Sequence, residues 1–281
     1  MLAILLILNL VLPGCPGSSN SQTKKPGFVI GQKPQTPASV SQFLSSLEKI
    51  IADVEDKYKN SNKTSSRVRN ATSVSEEDSG QDQTGDKQSE KKKTASIKSQ
   101  SGSERDQWRR EDQTLKDLHK TWNMLEPDSV KAGIAVSKRT RVEEGLEKLT
   151  MAIARRDPGT ALESSIELYG AFADIVEVFA YRIPADYFRT RYEAMATTFK
   201  ASQSQWAPAG EHVTRLREYW DLLKAQAQGA DPNIISRTDF SVHDLEEAVK
   251  KQQIELVMLK SEILMNNLKN LKNEFVLRQQ S

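Results

Sequence analysis

Apolar side chains recur every three or four residues from Ser103 to the end of the chain. This spacing places them on one face of an α-helix, whereas a half-buried β-strand would alternate apolar and polar residues. The most apolar segment, residues 158–183, carries two adjoining apolar faces, so other helices must surround it in water. We therefore expect an all-α fold, an up-and-down bundle of five to six helices over residues 103–281.

Prolines and capping residues indicate where these helices begin and end. Pro127 is predicted to end the first helix, and Asp157 followed by Pro158 supplies a cap and a first helical residue. Ser241 with Asp244 resembles a capping box, and Phe240 could then pack onto the first turn of the last helix. The predicted helices span residues 104–126, 129–156, 158–183, 185–202, 208–228 and 241–277, with a loop at 229–237.

Three further segments are predicted before the bundle. Residues 15–36 are rich in Pro, Gly, Ser and Lys and are expected to form a flexible tether. Residues 37–59 form an amphipathic helix whose apolar stripe must pack on the bundle, on a partner or on a membrane surface. Residues 60–102 are polar and nearly without large apolar side chains, so we predict a disordered linker.

The first fifteen residues predict export. Leu2 to Leu12 form an apolar run too short to span a bilayer, which is typical of a secretory signal peptide at residues 1–14. The quartet Leu12-Pro13-Gly14-Cys15 resembles the lipobox of bacterial lipoproteins. The resemblance implies cleavage before Cys15, attachment of palmitate-type lipid to its sulfur, and anchoring at the outer face of a bacterial cell membrane. The alternative is an ordinary signal peptide followed by an incidental thiol.

The charge distribution argues against nucleic acid as a partner. The formal net charge is only +2, and 28% of the residues are charged. Basic side chains outnumber acidic ones before residue 103, whereas the reverse holds for the bundle. Nucleic-acid binding requires a clustered basic face, which the sequence does not predict.

The motifs of metal and cofactor chemistry are missing from the sequence. Its three histidines, His119, His212 and His243, form neither an HExxH motif nor a Glu-x-x-His pair. No phosphate-binding loop, dinucleotide fingerprint or nucleophile elbow is present. We therefore predict no metal, no cofactor and no enzymatic activity, although a site assembled across several helices would leave no motif.

One polar strip on the most apolar helix is a candidate binding site. Its members recur at spacings of four and three, which places them on one helix face: Glu163, Glu167, Gly170, Asp174, Glu177 and Tyr181. The strip is either the solvent edge of a buried helix or the lining of an internal polar groove for a metal ion or small cation. For the second interpretation we name Asp174, Glu177 and Tyr181 as ligand-binding residues, because carboxylates among apolar neighbours often mark a site.

The sequence thus predicts an extracytoplasmic, membrane-anchored binding or scaffold lipoprotein. Its apolar helix faces would bind a protein partner or a second copy of the chain. The alternatives are a helical bundle that binds a cation and, third, a cell-envelope enzyme.

The lipobox resemblance makes a direct prediction for Cys15→Ser. Expressed in a bacterial host, the wild-type chain should gain the mass of a diacylglyceryl group and partition into membranes, because two acyl chains give stable anchoring. The Cys15→Ser protein should show neither property when intact mass and membrane fractionation are measured side by side. Unmodified, soluble protein in both cases would refute the anchor.

Overall fold

The computed structural model describes residues 32–72, with side chains as far as 61, and residues 107–277. The predicted signal peptide, Cys15, most of the tether and most of the linker lie outside these ranges. The described ranges are all-helical, which confirms the predicted fold class. They contain more helices than the five to six expected, namely α1 (Ala38–Thr72), α2 (Arg109–Lys131), α3 (Val136–Ala154), α4 (Pro158–Glu177), α5 (Ala185–Ser202), α6 (Trp206–Gln226), α7 (Pro232–Lys250) and α8 (Ile254–Leu277).

The prediction that Pro127 ends a helix is wrong. Pro127 lies inside α2, which continues to Lys131 before Gly133 adopts a positive φ of 86°. A proline removes one helical hydrogen bond but does not forbid the helix. Here Leu125 and Ser129, on either side of it, are both buried, and Ser129 Oγ donates to the Leu125 carbonyl at 2.9 Å. Burial of the side chains in this last turn therefore stabilises the helix by more than the backbone hydrogen bond that Pro127 removes.

The single long helix predicted over 241–277 is also wrong, and its division accounts for one of the extra helices. The chain reverses at Gln252, where φ is 53°. The helix before it begins earlier than predicted, because the Asp231 side chain caps α7 by accepting from the Asn233 amide at 2.8 Å. Ser241 consequently lies inside α7, and Phe240 is 70% exposed rather than packed as a staple.

Helix α4 is the centre of the bundle. Thirteen of its 20 residues are buried, and they cover most of its circumference. It packs against α1, α3 and α5, with the Phe172 ring stacked on Phe43 of α1 at 5.6 Å and edge-on to Phe188 of α5 at 5.7 Å. The helix ends at Glu177 rather than at 183, and the following turn is held by the Ala180 amide, which donates to the Pro34 carbonyl at 2.9 Å.

Helix α1 packs on the bundle, the first of the three possibilities left open by its amphipathic stripe. It contacts α2 and α4, and seven of its apolar side chains are buried: Val40, Phe43, Leu44, Leu47, Ile50, Ile51 and Val54. Full burial of such a side chain contributes about 1.5–3 kcal/mol, so this helix is integral to the core. Its backbone stays helical to Thr72, beyond the predicted end at 59 and into the predicted linker.

The close contact of α4 with α5 predicts a cost for Gly170→Ala. A Cβ at Gly170 would lie 2.9 Å from Cδ2 of the Tyr192 ring, which is too close to be accommodated without movement. We expect the free energy of unfolding, measured by urea denaturation, to fall by about 1–3 kcal/mol. Gly210→Ala in α6 is the control, because nothing lies within 4 Å of its added Cβ. That variant should be neutral or more stable, and equal losses in both would contradict the argument.

Candidate functional site

The two carboxylates singled out from the sequence lie together at the end of α4. Lys138 Nζ, from α3, lies 3.3 Å from Asp174 Oδ1 and 3.2 Å from Glu177 Oε2. Arg189 Nη2, from α5, donates to the same two oxygens at 3.2 and 2.7 Å. Arg141 Nη1 approaches the other Asp174 oxygen at 3.7 Å. The carboxylates therefore join three helices through ion pairs.

The charges of this cluster balance. Asp186 adds a third carboxylate, bound to Arg189 at 2.9 Å, opposite the three basic side chains. Burial raises the pKa of Glu177, but hydrogen bonds from Arg189 and Lys138 outweigh it and hold the pKa below its ordinary value. Burial lowers the pKa of Lys138, while Glu177 and Asp174 raise it further, so its pKa lies above the ordinary value. Both partners are thus charged at neutral pH.

Tyr181 has a different environment from the two carboxylates. It lies in the turn after α4, with its ring 6.0 Å from that of Phe188. Burial raises the pKa of its hydroxyl. The predicted trio is therefore divided between an ion-pair cluster and an aromatic contact.

The rest of the polar strip forms the seam between α4 and α5. Lys200 Nζ lies 2.5 Å from Glu163 Oε1, and the Tyr192 hydroxyl donates to Glu167 Oε1 at 3.0 Å. Glu163 and Glu177 are also partly exposed. The strip is thus both a helix contact and a solvent edge. On its other side, α3 and α4 border an open depression of about 780 Å³ whose lining mixes acidic and basic side chains.

An apolar groove that the sequence analysis missed lies between α1, α5 and α8. Its cavity volume is about 400 Å³, and α4 supplies part of its floor. Its apolar lining includes three methionines, which are flexible and fit irregular ligands. The apolar lining residues are Ile51, Ala52, Leu162, Ile166, Met195, Phe199, Ile254, Met258 and Met265.

The uncharged polar groups in the groove bind one another. Thr198 Oγ1 of α5 donates to Ser261 Oγ of α8 at 2.6 Å. Tyr58 of α1 and Ser202 of α5 share a hydrogen bond of 3.1 Å between their hydroxyls. These pairs join the helices around the groove and provide hydrogen-bond partners for its uncharged side-chain hydroxyl groups.

One end of the groove is marked by Arg191 of α5. Its Nη1 donates to Glu48 Oε1 of α1 and to the Tyr169 hydroxyl, the latter at 3.2 Å, and its guanidinium lies 5.2 Å from the Tyr169 ring centre. Lys272 of α8 lies 3.5 Å from the same Glu48 oxygen. Arg191 and Lys272 therefore share one carboxylate, which links α1, α5 and α8.

The protonation states at this end follow from burial and charge. Burial lowers the pKa of Arg191, but Tyr169, Tyr187 and Glu48 raise it more, so its pKa lies above the ordinary value. Burial raises the pKa of Tyr187 to about 12 and raises that of Tyr169 as well. At neutral pH the tyrosines are neutral hydrogen-bonding groups beside a permanent cation.

The histidines form no metal centre among the described residues, where no group of three potential ligands occurs. His119 Nε2 lies 2.8 Å from Thr150 Oγ1. The buried His212 Nδ1 lies 2.7 Å from Glu193 Oε2, next to Arg215. Within the described ranges, each helix is too short or too polar to cross a bilayer.

The apolar patches expected for protein binding are largely covered. The stripe of α1 is buried in the core, whereas the α7 and α8 region exposes Phe240, Leu259 and Ile263. No protein-family model matches the chain, and no curated protein or solved structure matches it. Function must therefore be argued from the geometry of the sites.

The ion-pair cluster predicts a pH-dependent effect of Glu177→Gln. At pH 7 the variant should lose up to about 1 kcal/mol in free energy of unfolding, the value typical of partly exposed pairs. Because the folded-state pKa of Glu177 is lowered, this contribution is fully present above pH 4.5, its ordinary pKa, and is lost as the pH falls through the folded value. Urea denaturation at pH 7 and at pH 3 measures the difference in free energy of unfolding between the variant and the wild type. Glu262→Gln, at an exposed glutamate of α8, is the control. A difference from wild type that persists unchanged at pH 3 would contradict this.

Proposed function

We propose that this chain is a lipid-anchored binding protein at the outer face of a bacterial membrane, and that its groove between α1, α5 and α8 binds an elongated apolar molecule. The observation that carries the proposal is the groove itself. Apolar side chains from four helices line one continuous open cavity here, and several of them, such as Ile51, Leu162 and Phe199, also belong to the buried core of the described bundle.

The dimensions of the groove suit a small ligand. Its volume of about 400 Å³ lies within the range of roughly 300–1,000 Å³ typical of ligand pockets. The α1 residues along it run from Glu48 to Lys59, which is roughly 16 Å at a rise of about 1.5 Å per residue. An apolar lining with a few polar groups is the composition expected of a binding pocket.

The proposed location depends on the lipobox resemblance at Leu12-Pro13-Gly14-Cys15. A protein held at a membrane surface by two acyl chains meets amphipathic molecules at high local concentration. An apolar groove in the anchored domain fits that setting, and a binding role without catalysis is consistent with the absence of recognisable catalytic motifs.

The alternative, a cation held by Asp174, Glu177 and Tyr181, has less support. Lys138, Arg141 and Arg189 already neutralise the carboxylates. A bound cation would have to displace these basic side chains and leave them partly buried without partners, which is costly.

The groove predicts that Ala52→Trp blocks ligand binding. Ala52 lines the groove from the exposed side of α1, so a tryptophan there can occupy the cavity without disturbing the core. We expect the affinity for the neutral apolar fluorophore phenylnaphthylamine, measured by fluorescence titration, to fall about tenfold or more.

The matched control is Ala225→Trp, at an exposed alanine on α6 that is not part of the groove lining. This variant should bind the fluorophore as the wild type does. A folded wild-type protein that does not bind the fluorophore, or equal binding by the Ala52→Trp variant, would refute the groove as the site.

A further inference from the structure

We propose that the Arg191 end of the groove binds the carboxylate of an amphipathic ligand, so that the ligand is a long-chain carboxylic acid whose tail lies along α1 toward Tyr58. This inference rests on the proposed function, since it assigns a ligand class to the same groove. It adds that one end of the groove recognises an acidic group.

The charge at this end favours an anion. Among the described residues, the ion pairs of Arg191 and Lys272 both involve one carboxylate, that of Glu48, which leaves one positive charge in excess. Arg191 is largely buried, with only 21% of its side chain exposed. Because charges interact more strongly where water is excluded, this excess charge attracts a ligand anion more than an exposed lysine would.

At the opposite end of the groove, the charges of the described residues balance. Glu55 and Lys59 of α1 pair with each other at 2.6 Å, and the Tyr58 and Ser202 hydroxyls bind each other. A ligand with one acidic end and one apolar end is therefore complementary to the groove in a single orientation.

The geometry of Arg191 suits a carboxylate. A guanidinium has five N–H donors in a planar fork that matches two carboxylate oxygens. The contacts of Arg191 with Glu48 and with the Tyr169 hydroxyl both use Nη1. The ring of Tyr169 lies beside the guanidinium at 5.2 Å and restricts its position. The fork is thus held in place before a ligand arrives, which reduces the entropic cost of binding.

Glu48 acts in this arrangement as an internal competitor. It occupies the carboxylate position between Arg191 and Lys272 when the groove is empty, and a ligand carboxylate must share Arg191 with it. Removing its charge by Glu48→Gln should therefore strengthen the binding of acids, while leaving the apolar lining unchanged.

The first test compares ligands of equal chain length on the full-length protein. Dodecanoate, dodecanol and dodecyl phosphate, each below its micellar concentration, displace phenylnaphthylamine in a fluorescence assay. We expect dodecanoate to bind about tenfold more tightly than dodecanol, the effect of one hydrogen-bonded ion pair. Equal affinities for acid and alcohol would overturn this inference while leaving the proposed function intact. Tighter binding of dodecyl phosphate would overturn the choice of a carboxylate, and failure of every probe to bind would overturn the proposed function.

The second test uses variants at the charged end. Glu48→Gln should raise the ratio of dodecanoate affinity to dodecanol affinity, and Lys272→Met should reduce this ratio severalfold. Arg191→Lys keeps the positive charge but loses the planar guanidinium, so it should also reduce the preference for dodecanoate over dodecanol. It is a milder change than removing the buried cation. Lys269→Met, at an exposed lysine on α8, is the matched control and should behave as wild type. An unchanged preference in the folded Glu48→Gln and Lys272→Met proteins would overturn the inference.

Discussion

Burial of α4 on nearly all sides is the constraint on which the rest of the bundle depends. A helix with apolar residues around its circumference is stable in water only when neighbours cover each face. Here α1, α3 and α5 cover it, and the aromatic contacts of Phe172 with Phe43 and Phe188 lie at the junction of α1, α4 and α5. Helix α1 is therefore part of the core, although the segment 73–106 separates it in sequence from α2.

The polar contacts of α4 determine how these neighbours are aligned. Its one polar strip faces basic and hydroxyl side chains of α3 and α5, so that sliding either helix by one turn would separate several charged pairs at once. At the other side of α5, Arg191 is held among Glu48, Tyr169 and Tyr187. Partly buried ion pairs add little net stability, but they favour one register among many apolar packings.

The groove arises where this packing is incomplete. Helices α1 and α8 both lie on the layer formed by α4 and α5, and the Glu48 to Lys272 contact joins them at one end. Between them, methionine and isoleucine side chains that pack against the core also line the open groove. An open groove with an apolar lining and a few polar groups has the composition of a binding pocket, which is the physical basis for regarding it as a binding site. Because only one end of the groove is charged in this way, an amphipathic ligand would fit the groove in one orientation.

The sequence by itself determined the all-α class, the central position of the helix predicted over residues 158–183, its start at Asp157–Pro158 and the amphipathic face of α1, because these depend on local periodicity and capping. The spacing of its polar residues also identified Asp174 and Glu177 as candidate site residues. It did not identify their basic partners, which come from α3 and α5. Only the tertiary structure decided that α2 runs through Pro127, that the chain reverses at Gln252 and that α1 enters the core, since burial of distant side chains outweighs local preference at each point. The groove likewise depends on residues from four helices far apart in sequence, and no local pattern records which helix faces will meet.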